Sequence, residues 1–491
     1  MAVDRQMTDH ARRVLRWAAY AWAVGNCGYV YLLAGGSRTY RVEAASLLFA
    51  AILLLSLTSP PRAIARVPWR RPQTASLLIV AALLWLFVLM PEIRFPFLND
   101  DYVFLDRYRT ARDVLNSPYF FRPLFAWLFW LARIVGHDSP VPFHLLGLSL
   151  HAASAGCVYG LARRLLSSPT AATIAAAVFL LNPLQLEVSL WTSGLQDGLW
   201  TSCILGAALV YRWRVVLSIG HVVVTALLVA AALVSKETAV CFILILPLLD
   251  VLFGSHRGPL RRVAYAVFVA ELVAYLWVRS YFAAVVDHQL LATPTRYVVK
   301  QFVTTPYRVF VFPWNAAAAH VPLLLQCAIA VIALTALLGA VRRPVPTLLI
   351  GPALILASTL PLAGYFYVGP DLTAARYLYF GAAGWAMFVG EAFDRCVSNP
   401  TVRFTCAAVT VVLLFVALSV NIRPWRAAAE LVRNLDTALT SGRQPADAVR
   451  EWRIRHDPGG SLNSLGVPDS YQGVYLFVNG YPEYLRWRAA R

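Results

Sequence analysis

The sequence predicts an all-α polytopic membrane protein of about thirteen transmembrane helices, on three observations. The 491 residues are 59% apolar and only 14% charged, against about 25% charged residues in ordinary soluble chains. Mean hydropathy is +0.61. Apolar runs near twenty residues, the length a bilayer core of about 30 Å requires at helical rise, recur along the chain. The formal charge of +18 does not read as nucleic-acid binding, because the arginines sit in short loops between apolar runs and no basic helix or stacking platform stands apart. The seven cysteines fall within or at the ends of apolar runs, at no metal-binding spacing, and imply no disulfide framework.

The expected spans lie at about 14–34, 43–58, 73–91, 140–162, 170–187, 195–213, 215–234, 239–254, 263–282, 320–340, 347–367, 376–396 and 403–420. Arginine clusters at the N-terminus, Arg62–Arg71, Arg163–Arg164, Arg212–Arg214, His256–Arg262, Arg342–Arg343 and Arg395–Arg403 all fall on one side if the N-terminus is cytoplasmic. The loops 92–139, 188–194, 283–319 and 368–375 and the tail from 421 are then extracytoplasmic. Lysine occurs only at Lys236 and Lys300, an arginine bias that suggests a GC-rich bacterial genome and hence a bacterial inner membrane. The expected domains are a transmembrane unit over 1–420 and a small α+β extracytoplasmic domain over 421–491. The latter has a helix at 424–441 and a strand at Val474–Val478 before the turn Asn479-Gly480. The apolar segment 119–135 would invert every later loop if it spanned, so it is expected as an amphipathic helix on the outer surface.

The outer loops hold the polar residues that carry chemistry. Asp100 and Asp101, in FPFLNDDYVFLDRY, are adjacent acids in an apolar setting beside Tyr102. Such a pair has shifted pKa values, and one member can serve as a general base while the other orients it or binds a divalent cation such as Mg or Mn. His144 and His151, seven residues apart, share a helix face; structural hydrogen bonding and site lining fit them equally, metal binding less well. Glu187 and Asp197 flank a short outer loop with Trp191 between them, as helix caps or site residues. Lys236 and Glu237 read as a local ion pair, or Lys236 as a phosphate ligand. Arg376, next to Tyr377, fits phosphate binding or interfacial anchoring, and Arg122 in FRPL a lipid entry or an anchor. The midplane is nearly free of charge and shows no internal duplication, which separates the chain from secondary transporters; Glu271, within a span, is the residue that fits a transporter or flippase instead.

In order, NDDYVFL, FRPL, FHLLGLSLH, NPLQLEVSLWTSGLQDGL, LVSKETAVCFILILPLLD and ARYLYFGAAG resemble the GT-C superfamily of membrane glycosyltransferases. The likeness covers about residues 90–395 and is strongest to protein O-mannosyltransferase-like members and the tetratricopeptide-containing transmembrane O-mannosyltransferases, without their repeats. It implies a GT-C-like bundle with Asp100 or Asp101 as base or metal ligand, Asp100 being the better match. It also implies Lys236 and Arg376 as ligands of a lipid-linked phosphate. The activity implied is inverting transfer of a sugar from a polyprenyl-phosphate donor to an acceptor hydroxyl on a polysaccharide, lipid glycan or protein. Topology points the same way, since nucleotide sugars are made in the cytoplasm and a donor used outside must cross the membrane on a lipid.

Overall fold

The computed structural model describes residues 75–98, 100–114, 121–137, 139–214, 216–253, 259–282, 346–359, 374–397 and 399–456, with short pieces at 309–310, 313–315, 368, 372 and 484–485. Every regular element among them is helical: α1 (Ala75–Leu89, extended by a 3-10 turn Met90–Arg94), α2 (Asp100–Arg107), α3 (Pro123–Gly136), α4 (Val141–Leu165), α5 (Pro169–Leu181), α6 (Gln185–Ser189) and α7 (Leu195–Tyr211). Then follow α8 (Ile219–Leu233), α9 (Phe242–Phe253), α10 (Leu260–Phe282), α11 (Pro346–Thr359), α12 (Tyr379–Cys396), α13 (Pro400–Thr440) and α14 (Pro445–His456). The expected spans at 14–34, 43–58 and 320–340 and the strand at Val474–Val478 lie outside the described residues.

The centre of the bundle is α5, whose residues Ala171–Leu181 are all buried. It packs against α1, α4, α12 and α13. Its alanines, Ala171, Ala172 and Ala175–Ala177, allow close approach, and α11 meets α12 where a Cβ on Gly384 would lie 2.8 Å from the Gly351 carbonyl. Small residues at helix crossings serve this purpose where lipid offers no hydrophobic drive to pack. Four described helices are long and apolar enough to cross a membrane: Ala75–Arg94, Val141–Leu165, Leu260–Tyr281 and Pro400–Thr440. The chain is a multi-pass membrane protein.

The structure differs from the sequence-based expectation at several boundaries. The span expected at 170–187 stops at Leu181, where Asn182 turns extended and its side chain accepts a bond from the Leu184 amide at 3.0 Å. The span expected at 239–254 begins as a 3-10 turn, Glu237–Cys241, and is α-helical only from Phe242. The span 403–420 and the helix 424–441 are one continuous helix, so residue 421 is not a break between elements. Proline at 424 removes a backbone donor, yet α13 runs through it. Trp425, Ala427, Ala428 and Ala429 are buried just beyond it, and Asn421 Nδ2 donates to the Ala417 carbonyl at 2.8 Å.

The segment expected as a surface amphipathic helix is α3. It buries Phe125, Ala126, Phe129 and Ala132 and exposes Trp127, Leu131, Ile134 and Val135. A face that apolar is suited to lipid rather than water.

Both ends of the bundle are closed by polar networks. At one, Arg212 pairs with Asp250 at 3.0 Å, and the hydroxyls of Tyr211 and Tyr265 donate to the same carboxylate at 2.8 and 2.6 Å. The residues singled out from sequence gather at the opposite end.

Candidate active site

The site is assembled from six short segments that join the helices at this end. The loop after α1 leads into Asp100 and Asp101, the first residues of α2. Asp100 is exposed, whereas Asp101 is wholly buried. The Asp101 carboxylate accepts from the Leu98 amide at 2.9 Å and from both the amide and the hydroxyl of Ser193 at 2.7 and 2.6 Å. Burial pushes the Asp101 carboxyl up to about 7 against the pull of those three donors. Its two oxygens are thereby engaged by the protein. They are poor candidates for the divalent cation that an acidic pair suggests, and no group of three metal-ligating side chains occurs among the described residues.

Ser193 belongs to the 3-10 turn Thr192–Gly194, which feeds α7. That turn packs directly on α6: a Cβ on Gly194 would collide with the Glu187 carbonyl oxygen. Glycine is the side chain that this approach admits. Asp101 therefore ties the acidic loop to the turn that sets Glu187 on one side and Asp197 on the other.

Three cation–carboxylate pairs follow. Glu187 accepts from the Arg376 guanidinium at 2.6 Å, from the Arg376 amide at 2.8 Å and from the Ala374 amide at 3.2 Å. Burial pushes its carboxyl up while Arg376 and the amides oppose that. Asp197, in the first turn of α7, receives Lys236 Nζ on both oxygens at 2.6 and 2.7 Å, with Arg376 Nε at 3.9 Å. Arg122, at the N-cap of α3, donates Nε to Glu237 at 2.8 Å and a second guanidinium nitrogen to Gln196. Burial alone would raise the Glu237 carboxyl, but the neighbouring Arg122 outweighs it and holds the group at about 2. Aromatic rings fill the gaps. The Arg376 guanidinium lies 4.5 Å from both the Trp191 and Tyr377 ring centres, and Lys236 Nζ lies 4.7 Å from the Tyr377 ring.

Thus Arg122, Glu187, Asp197, Lys236, Glu237, Arg376 and Tyr377 lie together at one end of the bundle. The basic groups are not solitary phosphate ligands, however; each is already paired with a carboxylate. Lys236 is almost wholly enclosed, while Arg122 and Arg376 keep 10% and 14% of their side chains exposed. The other residues play supporting parts. Tyr102 is buried, donates its hydroxyl to the Phe97 carbonyl at 2.8 Å and packs on Tyr484. His144 lies between the Phe95 and Ser189 carbonyls at 2.8 and 3.2 Å, bridging the acidic loop to α6. His151 lies between the Tyr379 hydroxyl and the Leu180 carbonyl at 2.6 and 3.0 Å. A neutral imidazole satisfies both of those partners as donor and acceptor, and His151 is fully buried. Sequence reasoning passed over Ser193, Gly194 and Gln196; the only signal was the run TSG before the acidic first turn of α7, a helix-start pattern.

No family model matches the chain. It is 34% identical over 132 residues to the protein O-mannosyl-transferase Tmtc1 of Drosophila melanogaster, covering 27% of this chain and 15% of that protein. It is likewise 34% identical over 144 residues to Tmtc2 of the same organism, again 27% of this chain and 15% of that one. The matched part is under a sixth of each Tmtc protein's length. The crystal structure of an Archaeoglobus fulgidus oligosaccharyltransferase, tethered to an acceptor peptide, aligns over 82% of this chain and 63% of that one. Its identity is 12% and its TM-score 0.38, a likeness too distant to carry any argument about this chain.

Proposed function

We propose that the chain is a glycosyltransferase that moves a sugar from a polyprenyl-phosphate donor to an acceptor hydroxyl, with inversion, at the extracytoplasmic face of a bacterial inner membrane. The observation that carries this reading is the anchoring of Asp101 on Ser193. It joins the acidic loop to the turn that leads into the helix bearing Asp197, which supports the reading that the exposed Asp100 and the cations Arg122, Lys236 and Arg376 act together.

In this reading Asp100 accepts the proton of the acceptor hydroxyl. The hydroxyl oxygen attacks the anomeric carbon from the side opposite the lipid phosphate. As that bond forms, the carbon–oxygen bond to phosphate breaks, and the phosphate leaves with the electron pair. Arg122 and Arg376, the two cations with exposed edges, take up its negative charge. Lys236, enclosed between Asp197 and Tyr377, fixes Asp197 instead of touching the donor. Preorganised charge of this kind lowers barriers because it is fixed before the reaction begins. Acceptor identity is left open among polysaccharide, lipid glycan and protein.

The test is transfer from a synthetic polyprenyl-phosphate sugar by purified, reconstituted protein. Asp100→Asn abolishes turnover while leaving thermal unfolding unchanged; undiminished transfer by this variant removes Asp100 as the base.

A further inference from the structure

A second polar cavity lies at the same end of the bundle, outside the site just described. It has a volume of about 560 Å³ and is bounded by Pro91 and Glu92 at the end of α1, by α13, and by His456 of α14. From α13 it takes Arg423, Arg426, Glu430 and Arg433, which recur at three- and four-residue steps and so share one helix face. Ten residues at helical rise separate the first arginine from the last by about 15 Å.

Charge there is unbalanced. Glu92 is taken by Arg426 at 2.7 Å, and Glu430 by Arg455 at 2.6 Å and His456 at 3.0 Å. Arg423 and Arg433, both exposed, enter no ion pair among the described residues. Four arginines, counting Arg455, thus face two glutamates, a surplus of two positive charges without the histidine.

The height of the cavity is fixed by the lipid-facing side chains below it. On α1 the exposed apolar residues Ile79, Leu83, Phe87 and Met90 end directly before Pro91 and Glu92. On α13 the exposed apolar residues Val402, Phe404, Val409, Val412 and Val416 give way to Arg423. Both walls change from hydrocarbon-facing to charged at the cavity floor, which is where a bilayer places its headgroup phosphates.

We propose that this cavity binds the phosphate of an anionic membrane lipid, with Arg423 and Arg433 as its principal ligands and the acyl chains lying along the apolar faces of α1 and α13. Arginine suits this role because its planar fork meets phosphate oxygens in pairs. The proposal does not depend on the catalytic reading, since none of these residues belongs to the cluster around Asp197.

The test uses full-length protein purified in detergent, with phosphatidylglycerol as probe and retained lipid counted by native mass spectrometry. Relative to wild type, the variant Arg423→Gln/Arg433→Gln retains phosphatidylglycerol about thirtyfold more weakly, each surface arginine contributing about five- to sixfold. Each single variant loses about the square root of that. Arg443→Gln, whose partner is Glu451, binds as wild type does. Unfolding temperatures in phosphatidylcholine nanodiscs stay together across the set, and a variant that fails this check is replaced by its single-site counterpart. Unchanged retention by the double variant overturns the proposal, as does an equal loss in Arg443→Gln. Displacement of the lipid from wild type by millimolar inorganic phosphate shows a site for free phosphate and overturns the lipid assignment.

Discussion

Removing one partner from the buried pair Lys236–Asp197 gives the sharpest test of how the site is held. Both side chains are nearly inaccessible, at 3% and 1% exposure, and Nζ reaches both carboxylate oxygens. At an effective dielectric of about 20, opposite charges about 2.7 Å apart attract by roughly 6 kcal/mol before desolvation. Arg376 Nε, 3.9 Å from the same carboxylate, contributes roughly 4 kcal/mol on the same scale. Truncating one member of a buried pair costs about 3–5 kcal/mol, because the survivor is stranded in low dielectric. The two halves of this pair are not stranded equally. In Lys236→Met, Asp197 still has Arg376, so the loss falls at the lower end, about 3 kcal/mol. In Asp197→Asn, Lys236 keeps the Tyr377 ring and an amide oxygen in place of a carboxylate, and the loss approaches about 5 kcal/mol. Denaturant titration in mixed micelles, run as a double-mutant cycle, measures both. The double variant Lys236→Met/Asp197→Asn is less destabilised than the sum, by more than the roughly 0.5 kcal/mol scatter of independent sites. Additive losses, or a Lys236→Met loss larger than that of Asp197→Asn, refute the arrangement.

Further outcomes follow from the same geometry. The Asp101 carboxyl is raised from 3.8 to about 7 by burial, so its contribution to stability is present in full below about pH 3.8 and is lost as pH rises through about 7. Asp101→Asn flattens that part of the stability–pH profile, whereas Ser193→Ala, which removes a donor to the ionised form, makes it steeper. Glu237 has the opposite sign: held at about 2 against an ordinary 4.5, it contributes stability above pH 4.5 that is lost as pH falls through about 2. In Arg122→Gln this acid-side loss disappears from the unfolding profile. Gly194→Ala forces a Cβ onto the Glu187 carbonyl and lowers stability by about 1–3 kcal/mol. Gly156→Ala, with nothing within 4 Å of the added carbon, is neutral or stabilises by up to about 1 kcal/mol in the same titration.

The bundle was legible where the signal is local. Hydropathy over twenty residues is a property of those residues alone, and it located α1, α4, α10 and the first half of α13. It missed boundaries set by distant partners. Asn-Ile-Arg-Pro at 421–424 has the composition of a helix end, yet Asn421 spends its side chain laterally, accepting from the Asn315 amide at 2.7 Å and donating to the Pro313 carbonyl at 2.8 Å. Nothing near residue 421 encodes that 313–315 will lie there.

The site divides along the same line. Residue types and the order of motifs brought Glu187, Asp197, Lys236, Glu237 and Arg376 to one end of the bundle, but the pairing among them was read from adjacency. Lys236 and Glu237 look like an ion pair because they are neighbours. In the fold the extended backbone at Lys236 sends it to Asp197, 39 residues away, and Glu237 to Arg122, 115 residues away. The exchange bears on chemistry. A Lys236–Glu237 pair would leave Asp197 only the more distant Arg376, at 3.9 Å, and would take Glu237 from Arg122, and a buried charge that loses its close partner is costly. By crossing the partners, the fold sets three carboxylates directly against three cations. In the proposed reading, a donor phosphate entering beside Arg122 and Arg376 meets cations already oriented by their carboxylates, and the exposed Asp100 is the acid proposed to take the acceptor's proton.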